Sequence, residues 1–576
     1  VQTEIIEFRN PKTRESHKKK VNYVADFETT TNPDDVRVWG WGLCAIPMDW
    51  QTLNLDNVGI GKSIEDFIAE IQELGNCNCY FHNLKFDGYF ILYWLMTNGY
   101  EHVKGEGILL SGCFKTLIND MGQFYSISVR WENGFYTEFR DSLKKLPMSV
   151  KRIAQSFKME LGKGDIDYDA ERPVGYDITP EEADYIRRDV LIVARALGQT
   201  LANGAQKLTV GSDALWEFKK LTGKDIFDRL FPILPLNIDA EIRRAYRGGF
   251  TYADSRFRGK LNGCGLVLDV NSLYPSIMYT KPLPYGLPQY VDGYIEPTET
   301  HPLILQTLTF TAKLKPGHIP CIQIKGNSIF SATEYLTEIN DPTTLTVTNV
   351  DLELYNDHYD MNIIEYVDGW RFRAATGIFD TYIEKWSRIK ANSEGGIREI
   401  AKLHLNSLYG KFATNPIISS KYPTLENGAV KLIRGADEER NPVYTAAGVF
   451  ITSFARELTI RAAQANYNAF AYADTDSLHL LGLEQPPTSL NIHPSELGAW
   501  KLEYHFERAY YIRAKAYLEQ KTDGEYVNRI AGLPEHLSSE LTFADLVPGK
   551  VIHGKLTPKS VPGGVVLRDT PYELKL

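Results

Sequence analysis

VNYVADFETT, residues 21–30, is a short apolar run rich in β-forming residues that ends on two carboxylates, Asp26 and Glu28. It reads as a buried strand. Side chains two apart on a strand point to one face, so Asp26 and Glu28 share a side. Two carboxylates on one face of a buried strand are costly unless a cation lies between them. Outward from this run, Val36 to Leu43 reads as a hairpin partner and Cys79 to His82 as a further strand. Ser63 to Leu74 has helical spacing with Ser63 as N-cap, and Phe86 to Leu95 reads as a buried helix whose first turn carries Asp87. Thr179-Pro-Glu-Glu is a strong helix start, and that helix runs to about residue 200. It places Tyr185 and Asp189 on one face, four residues apart. The first 200 residues therefore read as one α/β unit with four carboxylates and a tyrosine. That set fits a two-metal phosphodiesterase, in which ions about 4 Å apart clamp an in-line displacement. Asp-x-Glu spacing alone fits a plain structural role equally well.

A second acidic set lies downstream. Gly265 to Val270 is an apolar strand that delivers Asp269, and Tyr472-Ala-Asp-Thr-Asp-Ser477 ends another strand with Asp474 and Asp476. Mg²⁺ is commonly held by one or two carboxylates plus substrate phosphate oxygens, so two acidic strand tips suit nucleotidyl transfer. Between them, Phe379 to Gly410 is helical with a break near Ser393–Gly396. Arg398, Lys402, Asn406 and Tyr409 fall near one face of that helix, with Lys390 further back; a solvated charged face reads the same way. Residues 282–375 are turn-rich and strand-rich, and 413–446 read as polar and irregular. Ala447 to Ala471 is a long helix followed by a strand, and the tail from 531 consists of short strands and turns. Tyr246-Arg-Gly-Gly-Phe250 breaks the pattern and reads as a joint.

The 576 residues suit several domains, and 43% hydrophobic with 24% charged residues is an ordinary globular composition. No apolar run has the length of a membrane span, and the N-terminus has no signal-peptide core. Six cysteines without zinc spacing predict free thiols, no disulfide and no zinc. The net charge of −10 alone argues against a nucleic-acid partner, but local charge differs. From Arg140 to Lys163, seven Lys or Arg face only Asp141 and Glu160. Such a stripe neutralises phosphates or forms a solvated helix face.

The wider words carry a resemblance. DFETT (26–30), YFHNLKFDGYF (80–90) and YIRRD (185–189) resemble, in order, the three exonuclease segments of family B DNA polymerases. DVNSLYPS (269–276), KLHLNSLYG (402–410) and YADTDS (472–477) resemble the family's polymerase segments. The resemblance implies an α/β multidomain fold: an RNase H-like 3′–5′ exonuclease domain and a right-hand polymerase domain of palm, fingers and thumb with two insertions. It implies Mg²⁺, replaceable by Mn²⁺, with two ions at each site. Asp26, Glu28, Asp87 and Asp189 would bind metal in the exonuclease, with Tyr185 assisting. Thr29, Tyr80, His82, Asn83, Phe86, Phe90, Ser142, Leu143, Lys163 and Tyr168 would hold the unpaired DNA end, and Met148 stands where the family pattern has an aromatic. In the polymerase site, Asp269, the Val270 backbone and Asp476 would bind metal, with Asp474 shaping the site. Lys390, Arg398 and Lys402 would meet the incoming phosphates. Tyr274 would stack under the sugar, and Asn406 and Tyr409 would line the nucleotide pocket. Lys515 and Tyr517 match a primer-gripping element, and Tyr246, Arg247, Gly248 and Gly249 a joint that contacts template.

GDIDY (164–168), ERPVGY (171–176), AYRGGF (245–250), SLYGKFA (407–413) and VPGGVVL (561–567) look like the protein-primed branch of that family. The expected division is an N-terminal extension (1–20), exonuclease (21–209), palm (210–281 and 447–530), a first insertion (282–377), fingers (378–413), a second insertion (414–446) and thumb (531–576). The branch implies that a terminal protein docks on the first insertion and primes synthesis, and that the second insertion closes a ring that keeps the enzyme on its template and displaces the downstream strand. It further implies a monomer that works with DNA and dNTPs in the cytoplasm of a bacterial host. Three rivals stay open: a stand-alone exonuclease, a family B polymerase that starts only on nucleic-acid primers, and a silent DNA-binding or terminal-protein-binding scaffold.

Overall fold

The computed structural model describes residues 20–105, 107–324 and 335–575. The extension expected over 1–20 lies, apart from Lys20, outside the described residues. The strand Val21–Thr29 sits inside an eight-stranded sheet, antiparallel to Val38–Ile46 on one side and parallel to Cys77–Phe81 on the other. The helices Ile64–Glu73 and Leu84–Thr97 follow the predicted spacing. Ser63 accepts the N–H of Asp66 at 3.2 Å, and Thr179 and Glu182 form a capping box that opens Pro180–Ala202. These caps satisfy backbone donors that a helix start otherwise leaves unpaired.

How close the helix Pro180–Ala202 lies to this sheet is set by two glycines. Asp26 and Glu28 pair across the sheet with Gly42 and Gly40. A Cβ on Gly42 would lie 2.8 Å from Ile186 and 2.9 Å from Val190. Only glycine lets the helix settle this deeply, and the settling brings Tyr185 and Asp189 over the acidic strand.

A second large sheet is built from Gly265–Val270, Phe470–Asp474, Ser477–Leu481, Trp500–Arg513, Ala516–Lys521 and Tyr526–Ile530, with shorter strands near residues 251 and 261. One continuous apolar core joins it to the helices Asp380–Asn392, Gly395–Phe412 and Thr445–Ala465 and to a four-stranded sheet spanning 283–375. The mixed α/β, multi-unit architecture is as expected.

Residues 413–446 depart from their reading as irregular. Ile417–Glu426 and Ala429–Glu439 form an antiparallel hairpin. The signal was Asn427-Gly428, where both residues have positive φ (51° and 74°), the conformation of a two-residue hairpin turn. The hairpin bridges to the first unit at Asn119↔Ser420 and to the C-terminal strands at Ala429↔Pro562. Val430 and Val565 are both buried in the core cluster of the first sheet. All six cysteines are free. No helix among the described residues is long and apolar enough to cross a membrane.

Candidate active sites

The structure brings the first acidic set into one cleft of about 830 Å³. Asp26, Glu28, Asp87, Asp189 and Tyr185 line it with Thr29, His82, Asn83, Phe86, Lys163 and Tyr168. Leu556 and Val565–Leu567, from the C-terminal strands, close one wall. Glu28, Asp87 and Asp189 are almost fully buried. Asp87 accepts the N–H of Phe27 at 3.3 Å, and Lys163 meets Asp189 at 2.9 Å. The other carboxyl oxygen of Asp189 is buried with no hydrogen-bond partner among the described residues. The hydroxyls of Tyr168 and Tyr185 lie 2.7 Å apart.

Burial, and then the charge of Asp189, pushes Asp26 up to about 7. Burial and neighbouring carboxylates hold Glu28 and Asp87 well above the ordinary range; burial raises Asp189 too, against the pull of Lys163. Crowded acids in a low-dielectric cleft destabilise one another's charged forms. Such a cleft lacks positive charge.

Several side chains expected at DNA are placed otherwise. Tyr80 (2% exposed), Phe90 (1%) and Ser142 (0%) are buried. Their rings and hydroxyl pack inward and hold other groups: Ser142 donates to the Phe81 carbonyl at 3.0 Å and meets His82 Nδ1 at 3.0 Å. The second ring nitrogen of His82 lies 2.7 Å from the Met148 carbonyl, so both nitrogens are used within the protein. Asp141 was missed in the sequence. It accepts the N–H of Asn83 at 3.1 Å and of Leu143 at 3.0 Å, holding Asn83 in a left-handed conformation (φ 78°) at the cleft edge. A carboxylate inside a basic stripe gave no separate signal.

The second set lines a more open cleft of about 900 Å³, with Asp269, Asp474, Asp476, Lys515 and Tyr517 on its walls. Asp269 ends the strand Gly265–Val270, and Val270 donates its N–H to the Asp476 carbonyl at 2.8 Å, which locks the two acidic tips side by side. Burial and Asp476 raise Asp269 to about 7. Glu503 adds to this shift and lines the cleft; sequence reading missed it because it lies on a strand with no acidic motif. Asp474 accepts from Lys515 at 2.6 Å and from Thr251 at 3.0 Å, so its charge is spent within the protein. Arg152, from the basic stripe, also reaches this cleft.

The cationic residues predicted to meet the incoming phosphates lie outside the walls of this cleft, though Lys390 is near enough to pull Asp269 down. Lys390 donates to Ser272 at 2.9 Å, Arg398 to the Lys390 carbonyl at 2.7 Å, and Lys402 to Glu399 at 3.0 Å. Tyr274 and Tyr409 stack with ring centres 3.9 Å apart. Asn406 is exposed on the same helix. In the joint, Tyr246 is partly buried and Gly248 exposed. A Cβ on Gly249 would sit 2.6 Å from Thr475, inside the acidic turn, so the joint packs against that turn. Arg247 is turned inward: it is 5% exposed and donates to the carbonyls of Ala245 and Thr346 at 3.1 and 3.0 Å. It therefore braces the joint from behind instead of facing a ligand.

The sequence pattern of DNA polymerases of type B, organellar and viral, matches residues 72–173 and 166–492. The DNA polymerase of Bacillus phage Nf is 44% identical over 96% of this chain and 99% of its own length. That of Streptococcus phage Cp-1 is 33% identical over 96% and 98%. The chain belongs to the type B DNA polymerases. The polymerase of Bacillus phage phi29 is 44% identical over 97% of this chain and all of its own. Its solved structure with primer-template DNA superposes with a TM-score of 0.90 at 42% identity, over 96% of this chain and all of that one. Its complex with DNA and incoming nucleotides gives 0.88 at 43% over the same shares. This polymerase is thus of the phi29 type, and it synthesises DNA.

Proposed function

We propose that this polymerase extends primers at the cleft of Asp269 and Asp476 and proofreads in the 3′–5′ direction at the cleft of Asp26, Glu28, Asp87 and Asp189. The observation that carries this reading is the presence of two separate clefts, each lined by crowded carboxylates whose protons are held unusually tightly. On this reading residues 21–209 are an RNase H-like exonuclease unit. Residues 210–281 and 447–530 are the palm, 378–413 the fingers and 531–576 the thumb.

Both clefts fit divalent cations. Among the described residues, no three His, Cys, Asp or Glu side chains are set to hold an ion by themselves. Mg²⁺ takes one or two carboxylates and completes its shell with water and substrate oxygens. Asp26, Glu28, Asp87 and Asp189 would hold two ions in one cleft, and Asp269, Asp476 and the Val270 carbonyl two in the other, with Mn²⁺ as a substitute. Bound there, the ions would supply activation of the attacking oxygen and charge neutralisation at the leaving oxygen.

The protein's own groups do the rest. Tyr185, held by Tyr168, orients the attacking water, and Lys163 offsets part of the rise that burial imposes on Asp189. Thr29, Asn83, Phe86 and Leu143 border the path of the unpaired end, where rings stack on bases and amides meet the backbone. Lys390, Arg398 and Lys402 receive the triphosphate as point charges and a fork. Tyr274 and Tyr409 form a flat wall beneath the new base pair and sugar. Lys515 and Tyr517 hold the primer end, and the backbone of Gly248 and Gly249 approaches the template.

The first insertion, 282–377, is read as the dock for a terminal protein whose hydroxyl primes synthesis; its exposed apolar side chains Leu287, Tyr290, Tyr294 and Ile364 support this. The hairpin in 414–446, joined to the first unit and to the C-terminal strands, is read as a ring that keeps the polymerase on its template and displaces the downstream strand. The relatives from Bacillus phages Nf and phi29 are DNA polymerases, which supports action on DNA and dNTPs in the cytoplasm of a bacterial host; a monomer is what the family resemblance implies.

The test is a pair of substitutions on a primed single-stranded circle. Asp476→Asn should end extension and leave excision of a mismatched terminus. Asp26→Ala with Glu28→Ala should do the reverse. Loss of both activities from either change would reject the division of labour. Products many times the circle's length, made without helper proteins, would support ring closure and displacement; synthesis that halts at the 5′ end would reject them.

A further inference from the structure

The hairpin Trp500–Arg513 / Ala516–Lys521 turns at Ala514-Lys515, and its tip carries Lys515 and Tyr517. Glu519 lies two residues beyond Tyr517 and is 0% exposed. A carboxylate at that depth persists only with a full set of donors. Three are present. His479 Nδ1 lies 2.6 Å from one oxygen, the Tyr511 hydroxyl donates to that same oxygen at 2.8 Å, and the Tyr504 hydroxyl donates to the other at 2.8 Å. None of these four residues belongs to the acidic sets or to the cationic helix.

The network reaches the cleft at both ends. The Tyr517 ring stands edge-on to the His479 ring at 5.0 Å, and Tyr504, Tyr517 and His479 all line the cleft beside Asp269 and Asp476. His479 stands on the strand that leaves the acidic turn, and Tyr472 on the strand that enters it. Tyr472 stacks on Tyr511 at 5.4 Å and accepts the Lys515 N–H at 2.9 Å. The hairpin tip and the acidic turn are thus fastened to one buried anion.

We infer that Glu519 is a positioning residue for primer binding: with Tyr504, Tyr511 and His479 it holds the hairpin against the acidic turn, and through His479, edge-on to the Tyr517 ring, it sets the place of Tyr517. The inference rests on the reading of Lys515 and Tyr517 as the primer grip. A ring set against an imidazole that is itself tied to a buried carboxylate keeps its orientation, so its hydroxyl meets the DNA backbone at a smaller ordering cost.

The experiment titrates primer–template at saturating dNTPs with the full chain, using Tyr517→Phe, Tyr504→Phe, the double variant and Glu519→Gln, and checks folding by thermal unfolding. Tyr504→Phe removes one oxygen and leaves the packing, so it tests the relay even if a Glu519 variant unfolds. It should raise KM for primer–template about tenfold, well beyond any fall in kcat. Tyr517→Phe should do the same, and the double variant should be no worse than either single one, since both cut one chain. Glu519→Gln keeps an acceptor for Tyr511 and a polar partner for Tyr504, so it should stay within about threefold of the unsubstituted chain. A raised KM in Tyr517→Phe with none in Tyr504→Phe, or multiplying effects in the double variant, would overturn the relay alone. An unchanged KM in Tyr517→Phe would overturn the primer-grip reading itself, and the inference with it.

Discussion

The two clefts solve opposite electrostatic problems. The first gathers four carboxylates on a strand and two helices and sets a single lysine, Lys163, directly on one of them. The second holds Asp269 and Asp476 side by side, gives Asp474 to Lys515, and carries Lys390 on one helix and Arg398 and Lys402 on the next, with Lys390 near enough to pull Asp269 down. On the proposed roles, the difference follows from the substrate. A phosphodiester at a DNA end brings little charge, so the protein supplies the ligands for cations. A nucleoside triphosphate brings its own anionic oxygens, so fewer carboxylates suffice and free cations are needed to receive it.

The comparison can be broken most sharply at Asp269. Asp269→Asn should cut primer extension by ~10³-fold or more, since it removes a ligand at the reacting atoms, and leave excision of single-stranded DNA untouched. Equal loss in both assays would make the two clefts one functional unit. The lysines test the next level. Lys163→Ala removes the cation that lowers Asp189 and Asp26, so excision should fall by ~10²-fold and its acid limb should move to higher pH. Lys402→Ala should raise KM for dNTP by about tenfold without moving any pH limb, because Lys402 is paired with Glu399 and not with a cleft acid. A shifted pH profile in Lys402→Ala would erase the contrast between a cation paired with a cleft acid and one paired outside the cleft.

The smallest effect is on stability. Asp26 and Asp269 are both raised to about 7 by burial and neighbouring acids. A carboxylate whose folded pKa lies above its unfolded value contributes stability that is full below the unfolded value, near 4, and is lost as pH rises through about 7. Without divalent cations, the melting temperature should therefore fall between about pH 4 and 7, and Mg²⁺ should restore more of it at pH 8 than at pH 5. Asp26→Asn should flatten the metal-free slope. A melting temperature that rises over this range without metal would mean that the acids are not crowded as described.

Much of this was legible in the chain. The spacing of Asp26 and Glu28, the cap at Thr179 and the helical run from Tyr185 to Asp189 are local patterns, and local patterns survive folding because backbone geometry sets them. The hairpin at 417–439 was equally local. Its Asn427-Gly428 turn was present but sat in polar residues that hid the alternation. The joint at Tyr246–Gly249 shows the limit. That a Gly-Gly pair permits close approach was readable; that Thr475 is what approaches, and that Arg247 turns inward to brace it, was not.

The sequence by itself determined which residues carry charge, in what order, and on which strand or helix, and its wider words determined the family. Only the tertiary structure decided which of those groups face a cleft. Tyr80 and Phe90 stand within three residues of cleft residues along the chain, yet their side chains are buried, because a strand or helix sends neighbours to opposite sides and the packing of other elements decides which side is covered. Glu503 and Glu519 show the same in reverse. Neither stands in a motif, and each takes its place near the acidic turn because distant strands join one sheet: Glu503 comes close to Asp269, and Glu519 meets His479 forty positions away, which no local pattern encodes.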